Sequence, residues 1–298
     1  MNASLETYLK KQISKIDSAL ERLLPIETGL SGPVFEAMRY SLMAGGKRLR
    51  PILLLAGAEA VGGNAADFIP FACAIECIHT YSLIHDDLPS MDDDDLRRGR
   101  PTCHKVFGEA VAILAGDGLL TFAFELMSNK DLIGHIPPER ANRAIFIIAK
   151  AAGPFGMVGG QTADILLEGR DADPGMLSFI HSHKTGAMIQ ASVEAGGILG
   201  EGTREEVEWL SRYGAALGLA FQIVDDILDI EGERAIIGKP VGSDAKKKKI
   251  TYPAVFGMAE AKRKAVILLD EALSAIAHFD EKAEPLRALA RYVVERDR

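Results

Sequence analysis

Two apolar runs of helical length, residues 74–83 and 215–224, each end in a row of aspartates. The first leads into Asp86-Asp87 with Asp92 close behind, and the second into Asp225-Asp226 with Asp229. Apolar runs favour burial, whereas neighbouring carboxylates withdrawn from water are costly unless positive charge sits between them. A core-forming helix has little structural use for adjacent acids at its end. Hard divalent cations do, because Mg²⁺ prefers oxygen ligands and is usually shared between one or two carboxylates and a substrate's phosphates. The two clusters therefore read as two metal-binding walls that face one anionic substrate.

Helical periodicity fills most of the remaining chain. Apolar residues at three- and four-residue spacing predict helices over residues 34–43, 52–60, 66–87, 109–127, 139–152 and 155–167. Others follow over 174–183, 185–199, 203–230, 251–277 and 282–296. Gly45-Gly46 stops the first of these, Pro51 sits at a helix start, and Pro89 ends the helix that carries Asp86. Thr203 and Glu206 form a capping-box pair at the head of the longest helix. Alternating runs with hairpin signals are missing, aromatics are only 6% of residues, and alanine, leucine and isoleucine abound. With no linker or low-complexity tract, the expectation is an all-α chain whose antiparallel helices form a single domain over residues 1–298. Residues 91–102 and 238–250 each follow an acidic cluster and mix Gly and Asp with Lys or Arg, an order that hints at a pseudo-twofold arrangement.

Charge and cysteine usage narrow the function. A net charge of −8 over 298 residues argues against a nucleic-acid partner. Positive charge is nevertheless concentrated at Lys47/Arg48/Arg50, Arg97/Arg98/Arg100 and Lys246–Lys249, which suits a small polyanion better than a long one. Three cysteines, Cys73, Cys77 and Cys103, form no disulfide framework, and Cys73 and Cys77 read as small buried hydrophobes. The amino terminus lacks the apolar core of a signal peptide. No uninterrupted apolar stretch approaches the roughly 20 residues of a membrane span. A reducing, cytoplasmic location is expected.

Geometry sharpens the chemistry. Residues four apart differ by about 40° around a helix, so Asp225 and Asp229 share a face and can hold one ion between them, with Asp226 at the flank. Asp86 and Asp92 come together only if the chain folds back after Pro89. The segment from Gly45-Gly46 through Lys47 to Arg50 leads into a helix start, and Arg97-Arg98 follow the first acids; arginine forks and helix amino termini are good phosphate ligands. Lys184-Thr185 breaks an otherwise apolar helical pattern, an odd place for a charge in a buried segment. His181 and His183 have poor spacing for a shared metal and receive no role. His79, taken alone, reads as a satisfied core histidine.

The strings GGKRLRP (45–51), IHTYSLIHDDLPSMDDDDLRRGRPT (78–102), GGQTAD (159–164), HKTG (183–186) and FQIVDDILD (221–229) together resemble the trans-isoprenyl diphosphate synthases. The series Gly238-Lys239-Pro240, Gly242-Ser243-Asp244, Lys249 and Thr251-Tyr252-Pro253 is similar too. The resemblance runs the whole length and is greatest to the bacterial-type branch that makes farnesyl diphosphate. It implies helices around a deep cavity, a homodimer, and Mg²⁺ as cofactor, in a cluster of about three ions, with Mn²⁺ a possible substitute. Asp86, Asp92 and Asp225 would hold the metals, supported directly or through water by Asp87, Asp226 and Asp229. Arg97, Lys184, Thr185, Gln222 and Lys239 would serve the allylic diphosphate; Lys47, Arg50, His79 and Arg98 would hold isopentenyl diphosphate. Gln161 and Asp164 stand as ligand contacts or as buried hydrogen-bonding partners.

The implied reaction is head-to-tail condensation: the allylic diphosphate ionises, the alkene of isopentenyl diphosphate attacks, and a proton leaves to the departing diphosphate. Of the catalytic set, Asp86, Asp92, Asp225, Lys184, Lys239 and Arg97 would meet the developing charge. Tyr81, about 7.5 Å below Asp86 at helical rise, is placed to floor the hydrocarbon pocket, and Ser82 beside it is too small to block. Farnesyl diphosphate is the expected product and geranylgeranyl diphosphate the alternative. A terpene cyclase and a silent regulatory subunit are the rivals from other classes; the all-aspartate second cluster and retention of both clusters weigh against them. Two departures from the pattern are Asp93, where Asn is frequent, and the strongly basic run Lys246–Lys249.

Overall fold

The computed structural model describes residues 3–169, 173–231 and 250–296. Its helices are α1 (Ala3–Leu23), α2 (Gly32–Leu42), α3 (Leu49–Ala60), α4 (Ile69–Asp86), α5 (Cys103–Phe107), α6 (Glu109–Ser128), α7 (Lys130–Ile133) and α8 (Pro138–Ala152). They continue as α9 (Met157–Leu167), α10 (Pro174–Ile180), α11 (Ala187–Leu199), α12 (Arg204–Glu231), α13 (Tyr252–Phe256), α14 (Met258–Ala275) and α15 (Glu284–Glu295). The all-α expectation holds. The most apolar helices are the central ones: α3, α4 and α11 bury side chains on nearly every face, as helices without a polar side must. Helix α4 packs along α6, α11 lies against α3, α8 and α12, and α14 covers α12. One apolar core runs from Leu5 on α1 to Val293 on α15.

Several local expectations are met for their stated reasons. The Thr203 backbone N–H donates to Glu206 Oε2 at 2.7 Å, and the Glu206 N–H donates to Thr203 Oγ1 at 3.3 Å, closing the capping box. Cys73, Cys77 and Cys103 are unpaired and buried, and burial pushes the Cys73 thiol up to about 12, which keeps it inert.

Four features differ from the sequence reading. Helix α1 was not anticipated, because its lysines dilute an amphipathic pattern whose Leu5, Ile16, Ala19 and Leu20 are buried. The helix expected over 251–277 is broken by Gly257, whose φ of +84° leaves the helical region, so it becomes α13 and α14. A two-residue antiparallel pair, β1 (Leu96–Arg97) with β2 (Arg100–Pro101), stands where no strand was expected. Finally, three segments are long and apolar enough to cross a membrane by composition: Ala65–Asp86, Glu109–Ser128 and Pro138–Leu167. The first is 67% buried inside the fold, so its apolarity has a core explanation; the other two are 39% buried.

Candidate active site

The first acidic wall is built by the end of α4. Past Pro89 the chain turns back, and the Asp92 N–H donates to the Asp86 carbonyl at 2.8 Å while the Asp93 N–H donates to the Leu88 carbonyl at 3.0 Å. Asp93 takes a left-handed φ of +48°. Aspartate and asparagine are the residues that tolerate this conformation, which accounts for the exchange noted in the sequence. Asp87 is buried and receives the Arg97 fork, at 2.8 Å from Nε and 2.6 Å from Nη2. Arg97 also lies 3.8 Å from Asp94. The hairpin thus ties its arginine back onto the acidic segment.

Arg98 occupies the hairpin turn at φ +53° and donates to the Gly45 carbonyl. Gly46 packs beneath it at φ +135°, a backbone conformation that favours glycine, with the Arg98 guanidinium lying over the bare Cα. Hairpin and glycine loop are therefore one unit. On that loop Lys47 is exposed, Arg48 is buried, and Arg50 reaches inward with Nη1 3.4 Å from His79 Nε2. An arginine can only donate, so this contact makes Nε2 the acceptor and leaves the ring proton on Nδ1. Desolvation, reinforced by Arg50 and Arg98, holds the His79 pKa well below the ordinary histidine value, so the ring is neutral. The Arg50 Nε is buried without a hydrogen-bond partner, a donor suited to an incoming anion.

The second wall rests on a break in helical register. Residues His181–Gly186 form a π-helical turn between α10 and α11, the interruption signalled by Lys184-Thr185. Gly160 on α9 permits the approach, because a Cβ there would sit 2.1 Å from the Lys184 backbone nitrogen. Lys184 Nζ donates to Asp164 Oδ2 at 2.6 Å, and Thr185 Oγ1 donates to Gln222 Oε1 at 2.7 Å. Gln222 Nε2 donates in turn to Asp226 Oδ1 at 3.0 Å. Asp226 is buried, and its Oδ2 accepts the Tyr252 N–H at 2.7 Å and lies 3.3 Å from His181 Nε2. Asp87 and Asp226 are thus matched: in each wall one carboxylate is held inside by protein donors. Asp225 pairs with Arg296 and is partly exposed. Desolvation raises its pKa, while Arg296, Lys47 and Arg50 work to lower it, so the glycine loop and the second wall lie within one another's field.

Between the end of α4 and the π turn lies a cavity of about 440 Å³, within the range of small-molecule sites. It gathers Arg50, His79, Tyr81, Ser82, Asp86, Lys184 and Thr185, drawn from three separate motifs, and Gln161 of a fourth lines it with both amide atoms buried and unpartnered. Tyr81 is buried, and desolvation together with Asp86 lifts its pKa to about 12, so it stays a phenol. Its ring meets His85 edge-on at 5.8 Å, and His85 Nε2 donates to the Ile113 carbonyl of α6 at 3.0 Å. Ser82 spends its hydroxyl on the His79 carbonyl at 2.9 Å. Lys47, Asp92, Gln222, Asp225, Asp226 and Asp229 do not line this cavity. Lys239 and residues 238–249 lie outside the described residues. Among the described residues no three acidic, histidine or cysteine side chains converge as a metal cage.

Residues 33–290 match the polyprenyl synthetase family. The chain belongs to that family. It is 51% identical over 296 residues to a farnesyl diphosphate synthase of Geobacillus stearothermophilus, covering 99% of this chain and 98% of the relative. It is 47% identical to the chloroplastic heterodimeric geranylgeranyl pyrophosphate synthase large subunit 1 of Arabidopsis thaliana, covering 97% of this chain and 79% of that one. The apo crystal structure of an FPP/GFPP synthase from Zymomonas mobilis superposes with a TM-score of 0.88 at 36% identity, covering 99% of this chain and 100% of that one. This polyprenyl synthetase is therefore a prenyltransferase acting on prenyl diphosphates.

The sequence reading of this polyprenyl synthetase missed three site-shaping groups. Arg296 reaches Asp225 from the far end of the chain and lies 4.2 Å over the Phe221 ring, with no local signal beyond its charge. His181 supports Asp226 only because the π turn rotates it inward. His85 carried a signal that was passed over, a histidine directly before the first aspartate.

Proposed function

We propose that this prenyltransferase is a Mg²⁺-dependent, homodimeric, cytoplasmic farnesyl diphosphate synthase that extends dimethylallyl and then geranyl diphosphate with isopentenyl diphosphate. The supporting observation is the cavity itself: Asp86 and Lys184 both line it, and the buried Tyr81 ring, edge-on to the half-buried His85, forms part of its wall.

The donor chemistry suits Mg²⁺. Asp86, Asp92, Asp225 and Asp229 offer only hard oxygen ligands, and incomplete protein cages that leave positions for phosphate are its usual habit. When bound, the metal would supply positive charge to the leaving diphosphate. The chain's own residues do the rest. Asp87 and Asp226, fixed by Arg97, Gln222 and the Tyr252 N–H, hold each acidic segment in one conformation. Lys184 is preorganised by Asp164 to meet charge that develops on the departing oxygen, which is the most effective kind of transition-state stabilisation. Arg50, with its buried unpartnered Nε, and Arg98, with Lys47, would receive the second diphosphate. The neutral His79 adds no like charge to theirs. The apolar walls Met91, Met157, Val158 and Ile165 keep water from the allylic cation. Released diphosphate oxygens would accept the proton, since His79 Nε2 is already taken by Arg50 and His85 Nε2 is spent on the Ile113 carbonyl.

A homodimer accounts for α6, whose Ile113 and Leu114 are 44% and 53% exposed on a helix with little polar face. Geranylgeranyl diphosphate is the second reading, favoured by the name carried by the Arabidopsis relative.

Metal-stripped protein given isopentenyl diphosphate and each allylic starter should be inactive, regain turnover with Mg²⁺, and yield mainly fifteen-carbon product by mass spectrometry. Turnover without any divalent metal, or without isopentenyl diphosphate, would contradict the reading. Sedimentation at working concentration should give twice the chain mass.

A further inference from the structure

Within the basic run of the glycine loop, the cations divide. Lys47 is exposed and Arg50 faces the cavity, whereas Arg48 is 3% exposed and turned into the core. Its backbone sits at φ 48°, ψ 34°, a left-handed conformation unusual for arginine and placed directly before the first residue of α3. That twist sends consecutive side chains in opposite directions. The buried guanidinium uses every arm of its fork. Nε donates to Asp17 Oδ1 on α1 at 2.8 Å, Nη1 to Glu76 Oε1 on α4 at 2.7 Å, and Nη2 to the Leu42 carbonyl at the end of α2 at 2.8 Å. One side chain therefore binds three helices to the loop.

Glu76 lies one helical turn before His79, the residue that Arg50 contacts. The loop and α4 thus meet in two rungs, Arg48 on Glu76 below and Arg50 beside His79 above. The lower rung is closed and buried, while the upper one faces the cavity. Burial disfavours the charge on Arg48, but Glu76 and Asp17 outweigh it and raise its pKa. For Arg50 burial prevails, with Glu76 the first of the acids opposing it. Glu76 Oε2 has no hydrogen-bond partner, so this carboxylate stands behind the anion-binding groups as a buried counter-charge.

We propose that Arg48, with Glu76 and Asp17, is a positioning residue for the isopentenyl diphosphate site: it never touches substrate but fixes the loop that aims Lys47 and Arg50. The inference rests on the proposed function, since it assigns the second diphosphate to that loop. Arginine is required because a lysine ammonium carries its three donors on one nitrogen and cannot spread them to partners on three helices as the guanidinium fork does. A simple field argument and the positioning argument differ in sign. Removing the negative charge of Glu76 makes the pocket more positive and should tighten anion binding, whereas loosening the loop should weaken it.

Steady-state kinetics on Arg48→Lys, Glu76→Gln and Asp17→Asn, each with its unfolding transition measured, test the idea. Arg48→Lys should raise the KM for isopentenyl diphosphate about tenfold and leave kcat and the KM for geranyl diphosphate within about twofold. Glu76→Gln should also raise it, against the field argument. Asp17→Asn, at the partly exposed arm, should raise it about threefold, and carries the test should the buried variants fail to fold. A KM for isopentenyl diphosphate unchanged in folded variants, lowered in Glu76→Gln, or raised in parallel with that for geranyl diphosphate would overturn the inference. A wild-type protein without isopentenyl-dependent turnover would instead overturn the proposed function.

Discussion

At the scale of single residues, the site depends on which charges are held by protein and which are left to the substrate. His79 makes this measurable. Its folded pKa is depressed, while the unfolded ring titrates near about 6.5, so below that pH the unfolded chain binds a proton that the folded one refuses. The stability conferred by the neutral ring is therefore present above about pH 6.5 and lost as pH falls, by at most about 1.4 kcal/mol per unit. Urea unfolding at about pH 7.5 and about pH 5.5 should show a larger acid loss for wild type than for His79→Gln; equal losses would contradict the neutral assignment. Arg296 offers a second test. Because it is paired with Asp225, a metal has to compete with it, and Arg296→Gln should lower the half-saturating Mg²⁺ concentration about two- to fivefold. An unchanged or raised requirement in a magnesium titration of activity would count against that competition. Lys47 and Arg50 were legible in sequence as a basic loop. The inward turn of Arg48 was not, because it follows from one left-handed φ and from carboxylates on α1 and α4 that are remote in sequence.

At the scale of elements, the acidic helix ends, the Pro89 turn and the Thr203 capping box were readable because each depends on contacts only a few residues apart. The π turn at His181–Gly186 was visible only as a charge interrupting an apolar pattern; its register shift depends on α9 approaching at Gly160. Helix α1 and the break at Gly257 were not anticipated, the first through dilution of its pattern and the second because a lone glycine within an apolar helical pattern does not announce its φ. The α4–α6 contact had no sequence signal at all. There His85 fits against Gly116, where a Cβ would lie 2.1 Å from its Nε2. Gly116→Ala should therefore force the imidazole towards Tyr81 and destabilise the fold by about 1–3 kcal/mol, read as a lowered unfolding midpoint. A midpoint equal to or above wild type would show that the two helices have slack at that crossing.

At the scale of the whole molecule, the fold brings motifs spread from Arg50 to Thr185 onto one cavity and sets the second acidic wall beside them. The class of fold followed from periodicity, whereas the cavity's depth is a property of packing that no local pattern contains. Helices α6 and α8 retain apolar surface at Ile113, Leu114 and Phe146, which is the surface the proposed homodimer would cover. The central claim is that the growing hydrocarbon runs from Asp86 down α4 until the buried Tyr81 ring stops it. The most direct measurement is mass spectrometry of the products made by wild type and Tyr81→Ala from geranyl and isopentenyl diphosphates under identical conditions. Wild type should release fifteen-carbon product, and the variant twenty carbons or longer; fifteen carbons from both would contradict the account.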